Sequence, residues 1–267
     1  NLPVGERAKV FSLRYTLTNV GYATGPMLGV VIAGQLPWAP FLIASAIAFG
    51  SLFLMIGIAP TQRDDSHKPQ SFLSTLRILR SDRTLILFTS GSLLSTIVHG
   101  RYTLYLSQFL LVAYTPDQAL KILSAVLACN AITVILMQYQ IGRFLKREQL
   151  RHWIVLGTLL FIAGLVGFSQ AHSLLTWCLA MFVFTLGEMI IYPSEFLFID
   201  TIAPDALRGS YYGAQNLAAF GGAMSPVICG YLLINAAPTS MFFALAALTA
   251  MGGTLCFLSG RRVAGSC

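Results

Sequence analysis

Eight long apolar runs, separated by charge or by Pro and Gly, constrain this chain more than any other feature. A hydrocarbon layer about 30 Å thick takes roughly 20 apolar residues in a helix rising 1.5 Å per residue. The runs extend over Val10–Gln35, Trp38–Ile58, Thr84–Val112, Gln118–Tyr139, Trp153–Ser169, Leu174–Phe198, Gly209–Ile234 and Met241–Ser259. Each is predicted to be a helix, because a segment facing lipid must satisfy its own backbone hydrogen bonds. Charged residues make up only 10% of the 267 positions and the mean hydropathy is +0.72. So few ionisable groups cannot solvate the exterior of a water-borne domain of this size, which excludes a soluble enzyme, a disordered tail and a coiled coil.

The net charge of +7 fits nucleic acid, an anionic surface or the cytoplasmic loops of a membrane protein, and placement decides among them. All of the 17 basic residues except Arg14, Arg101 and Lys121 fall before the first run or after the second, fourth, sixth and eighth. The intervening connections, Leu36-Pro37, Ala113–Asp117, Gln170–Ser173 and Asn235–Ser240, hold no Lys or Arg. This alternation is the positive-inside pattern with both ends of the chain cytoplasmic. It excludes a nucleic-acid-binding domain, whose basic residues would gather on one face. The five cysteines are scattered, without Cys-x-x-Cys or zinc-like His spacing, so neither a disulfide framework nor a metal or cofactor site is expected. No leader is visible ahead of the first run, and the chain reads as part of a longer protein.

The stretch 59–83 is the one long linker. Its second half sets Phe72, Leu76 and Leu79 on one helical face with Arg77 and Arg80 off it, the pattern of an interfacial amphipathic helix. Sliding the chain by 200 positions superimposes Phe11 on Tyr211, Leu17 on Leu217, Gly21 on Gly221, Ala23 on Ala223 and Pro26 on Pro226. The first and seventh runs are therefore related by a parallel six-helix repeat. On that reading, residues 1–58 are the last two helices of a first bundle, 59–83 is the inter-bundle linker and 84–267 is a complete second bundle. Four helices of the first bundle are missing from the chain.

Three motifs resemble the major facilitator superfamily. Gly21-x-x-x-Gly25-Pro26-x-x-Gly29 is similar to the fifth-helix signature of its proton antiporters, and Gly142-Arg143-Phe144-Leu145-Lys146-Arg147 to the second-bundle copy of its cytoplasmic loop motif. Phe184-Thr185-Leu186-Gly187-Glu188 with Tyr192-Pro193-Ser194-Glu195, continuing to Ile199-Asp200 and Ala203-Pro204, is similar to the tenth helix of bacterial dipeptide and sugar exporters. The loop motif lacks the Asp that often completes it in the family. The resemblance implies an all-α membrane bundle with eight of a probable twelve helices present. It also implies a proton-coupled efflux transporter of a small polar or amphipathic solute, such as a dipeptide, sugar or drug, in a bacterial inner membrane, with lipid, solute and protons as its partners.

Gly21, Gly25 and Gly29 recur every four residues and give a ridge on which another helix can approach closely, and Pro26 favours a bend. Tight packing and, as the resemblance implies, sealing of the cavity against proton leak both suit these residues. Charges inside the membrane are costly and need a reason. Arg14 is near enough to the end of its run to snorkel. Arg101 is too deep for that and is expected to face the cavity. Glu188 lies mid-membrane, where a carboxylate can bind and release a proton or hold a substrate ammonium, and a neutral carboxyl bonded to a neighbouring helix is the alternative. Glu195 follows two turns later; the resemblance implies a gate pair with Arg143. His99 is a second candidate proton carrier. Tyr105, Asn130, Gln138, Tyr139, Tyr192, Gln215 and Asn216 complete the candidate cavity. An intramembrane hydrolase is excluded for want of His-Glu-x-x-His or a nucleophile elbow. A transport-incompetent remnant, or a structural or regulatory membrane protein, stays open beside the transporter.

Overall fold

A computed structural model describes residues 36–58 and 72–264, together with residues 10, 13, 14, 16–18, 20, 21, 24, 25, 28, 29 and 32 of the leading segment. Those leading residues from 10 to 32 are helical. The helices that follow are α1 (Ala39–Ile58), α2 (Phe72–Ser81), α3 (Arg83–His99), α4 (Tyr102–Ala113), α5 (Pro116–Phe144), α6 (Leu150–Ser169), α7 (Leu174–Ile202), α8 (Arg208–Gln215), α9 (Ala219–Asn235) and α10 (Ser240–Ala264). The described residues contain no strand, and six of their helical segments are long and apolar enough to cross a membrane. The molecule is an all-α membrane protein. Pro26 and the linker 59–71 lie outside the described residues.

Small residues draw the second-bundle helices together, as expected where lipid removes the hydrophobic drive between helices. A Cβ on Gly187 of α7 would stand 2.8 Å from the Gly157 carbonyl of α6, and one on Gly164 of α6 would stand 2.9 Å from the Phe184 Cα. The α3 and α10 backbones meet in the same way, with a Cβ on Gly91 falling 2.7 Å from the Gly252 carbonyl oxygen. Gly221 of α9 lies directly against the Leu93 carbonyl of α3. Rings fill the wider gaps. Phe109, Phe168, Trp177 and Phe242 cluster near the turn that precedes α7, and Phe88 stacks on Phe198 with centroids 4.0 Å apart towards the other end.

Two of the runs depart from the continuous helices expected of them. The run Thr84–Val112 breaks between α3 and α4, where Gly100 donates its N–H to the Thr96 carbonyl at 2.9 Å and Arg101 takes φ −145° and ψ 39°. The run Gly209–Ile234 divides at a 3₁₀ turn, Asn216–Ala218, between α8 and α9. The breaks are neighbours, since a Cβ on Gly100 would lie 3.3 Å from the Gly222 Cα. Irregular backbone at membrane depth is tolerated where protein surrounds it, and discontinuous helices are the places where transporters form sites. Conversely, Pro193 sits buried within an unbroken α7.

Candidate functional site

Alongside the break, α5 and α7 build a polar seam. Asn130, Val134 and Gln138 are spaced four apart on α5 and so share a face. Opposite them α7 presents Thr185, Glu188 and Met189. Asn130 Nδ2 donates to Glu188 Oε2 at 2.9 Å and to Thr185 Oγ1 at 3.0 Å. Thr185 passes its own proton to the Met181 carbonyl at 2.7 Å, which leaves its oxygen free to accept. All three side chains are buried. Two turns along, Gln138 Nε2 donates to the Met189 carbonyl at 3.2 Å, while its Oε1 is buried without a partner. Tyr102 and Tyr105, from the first turn of α4 just past the break, are close enough to couple electrostatically to Glu188. The Tyr105 hydroxyl is buried and unpaired. A carboxyl group is thus held by a neutral amide on a facing helix, with two phenols from α4 nearby.

The other expected residues lie elsewhere. His99 is buried and stacks on Phe161 at 5.4 Å between centroids, with Nε2 unpartnered. Arg101 is exposed at the break, its stem against Gly222. Tyr139 and Asn216 are also exposed, whereas Tyr192 packs on Phe196 at 5.3 Å. Gln108 Oε1 is buried and unpaired. Gln215 belongs to a second constellation: it accepts from Thr89 Oγ1 at 3.1 Å and, with Ser92, faces Glu195. The Glu195 side chain lines a cavity of about 10 Å³ with Ser95, Thr158 and Cys256, room for roughly one water.

The gate pair expected between Arg143 and Glu195 is absent. Arg143 is exposed, and Glu195 lines the small cavity among α3, α6 and α10. Two basic residues farther along the chain reach the end of α7. Arg147 donates to Thr201 Oγ1 at 2.8 Å and to the Asp200 carbonyl, and Arg208 pairs with the buried Asp200 at 3.2 Å. Tyr212 hydroxyl also donates to Asp200 Oδ1. Asp200 is expected from the sequence only as part of the tenth-helix motif, with no partner assigned to it, and Ser92 carries no signal of its own. Arg14 reaches inward, its guanidinium 5.0 Å from the Phe196 ring centroid. Gly21, Gly25 and Gly29 have open space where a Cβ would stand.

The family model for the Major Facilitator Superfamily matches residues 1–226. The chain belongs to this superfamily. Among curated superfamily members, an uncharacterized MFS-type transporter of Escherichia coli K12, YdeE, is 36% identical over 248 residues, covering 92% of this chain and 62% of its own length. YqjV of Bacillus subtilis, also an uncharacterized MFS-type transporter, is 25% identical with the same two coverages. A Na(+), Li(+), K(+)/H(+) antiporter of Planococcus maritimus is 21% identical, covering 81% of the chain and 57% of that protein. The chain therefore spans less than two thirds of the length of these relatives. The superfamily fold is matched by the human organic anion transporter MFSD10 (TETRAN), with a TM-score of 0.64, 16% identity, and coverage of 96% of this chain and 65% of that one. The chain is thus a multi-pass helical membrane member of this family.

Proposed function

We propose that the chain is the larger part of a proton-coupled exporter of a small polar or amphipathic solute, such as a dipeptide, sugar or drug, in a bacterial inner membrane. The carrying observation is the buried Glu188–Asn130–Thr185 set bridging α5 and α7 beside the helix break. Asn130 turns its amide nitrogen, a donor, towards the carboxylate, which suits a proton site better than an alkali cation needing oxygen ligands. In this reading Glu188 takes the proton from the outer side and releases it inward as solute leaves. His99 is an auxiliary carrier, and Tyr105, Gln138 and Tyr192 border the solute. Residues 1–58 complete the first bundle, 59–83 link it to the second, 84–267, and both ends of the chain are cytoplasmic. The solute then sits between bundles, so the chain transports only when the first-bundle helices are supplied.

The test uses inverted vesicles carrying the chain preceded in frame by the leading helices of a full-length relative, with an acidified lumen followed by a pH-sensitive dye. Dipeptides, sugars, amphipathic cations and sodium or potassium chloride are added in turn. One organic class should dissipate the gradient, and Glu188→Gln should abolish the response while Glu188→Asp keeps part of it with a shifted pH optimum. An unchanged response in Glu188→Gln refutes the coupling role, and a response to alkali salts alone refutes the solute class.

A further inference from the structure

The proposed transport cycle leaves unused a strongly basic patch at the start of the second bundle. Helix α2 lies against α3 and α8 through Ile78 and Leu79, which pack on the core, while Leu76, Arg77 and Arg80 face outward. Leu76, Arg77, Arg80 and Ser81 line an open groove of about 440 Å³. Arg83, the first residue of α3, stands two positions beyond the end of α2 and is exposed. The one acid among these residues is already committed. Asp82 Oδ1 caps α3 by accepting from the Thr84 and Leu85 N–H groups at 2.9 and 3.0 Å, and Oδ2 accepts from the Tyr211 hydroxyl at 2.7 Å. No carboxylate pairs with Arg77, Arg80 or Arg83 among the described residues.

Arg77 and Arg80, without a carboxylate partner among the described residues, thus flank an exposed leucine at the start of the second bundle, with Arg83 close by in the chain. Guanidinium is the side chain suited to bidentate binding of phosphate oxygens, and the leucine offers an apolar wall beside it. An acyl chain requires such a wall and a free phosphate does not. We propose that this groove holds the headgroup phosphodiester of an anionic phospholipid from the leaflet facing the basic loops, with Arg77 and Arg80 on the phosphate and an acyl chain along Leu76. Occupancy clamps α2 at the membrane surface. Through Asp82 it also steadies Tyr211 on α8, the helix that carries Gln215 to the Glu195 pocket.

The full chain, delipidated in a neutral detergent, is titrated with phosphatidylglycerol or phosphatidylcholine, and bound lipid is counted by native mass spectrometry. Phosphatidylglycerol should bind more tightly than phosphatidylcholine. The Arg77→Gln, Arg80→Gln double variant should bind phosphatidylglycerol roughly thirtyfold more weakly, each basic residue near an anionic surface being worth about fivefold. Both side chains are exposed, so the fold should persist, as an unchanged melting temperature would show; the double lysine variant, which keeps the charge but loses the bidentate fork, should bind with an affinity between the two. Lys146→Gln removes a charge from another basic loop and should change affinity by less than about twofold. Equal binding of the two lipids, wild-type affinity in the glutamine variant, or displacement of lipid by millimolar inorganic phosphate would each overturn the proposal.

Discussion

Helices α1 and α7 are about equally apolar, yet none of the described side chains of α1 is buried, whereas α7 buries a residue at almost every turn. The difference lies in the neighbours: the helices that pack on α7 belong to this chain, whereas in our proposal those that flank α1 belong to the rest of the first bundle. Ser45 and Ser51 of α1 return their hydroxyls to their own helix, to the Phe41 and Ile47 carbonyls at 2.8 Å, and Gly50 has no atom within 4 Å of where a Cβ would stand. In α7, Gly187 admits the α6 backbone, Glu188 reaches α5, and Asp200 holds Arg208. When lipid is as apolar as leucine, hydropathy says that a helix enters the membrane, and small and polar residues say which face meets protein. The unpartnered α1 surface is where lipid and, in our proposal, the first-bundle helices pack.

The sharpest way to break this contrast is to load the same leucine onto both helices. Gly187→Leu should drive a side chain into the Gly157 carbonyl and the Phe161 N–H and cost about 3 kcal/mol or more, seen as loss of a monodisperse, cooperatively melting protein. Gly50→Leu in α1 should leave the melting temperature unchanged, because its site is open. Asp200→Asn should follow at about 2 kcal/mol, since it leaves the partly buried Arg208 short of its charge partner. Asp205→Asn removes an exposed pair with the same arginine, made at 2.8 Å, and should cost under about 1 kcal/mol. Asn130→Ala should cost about 1 kcal/mol, the scale of one interhelical hydrogen bond in a membrane protein, with a larger effect on proton-coupled transport than on melting. Ser45→Ala should fall within about 0.5 kcal/mol by the same melts, as for surface positions generally.

Much of the fold was legible because each membrane helix must be long, apolar and self-satisfied in its backbone hydrogen bonds. The interruptions at Gly100–Arg101 and Asn216–Ala218 were not, since a broken helix and a continuous one have the same hydropathy when neighbours rescue the freed backbone groups. In the site, Glu188 and Asn130 stood out as polar residues in apolar runs, and the structure joins them. Glu195 was read towards Arg143 from the family motif; its position along α7 turns it to Ser92 and Gln215 instead, a matter of inter-helix rotation that local sequence does not encode. The Asp200–Arg208 pair spans a turn between two helices, so helical periodicity gave no hint of it.

The central claim, that Glu188 exchanges a proton inside the second bundle, is tested most directly by infrared difference spectra of the purified chain in lipid nanodiscs between acidic and alkaline pH. The account predicts a protonated-carboxyl carbonyl band that comes and goes with pH, disappears in Glu188→Gln and shifts in frequency in Asn130→Ala as its hydrogen bond is lost. A spectrum in Glu188→Gln identical to that of the unsubstituted chain would contradict it.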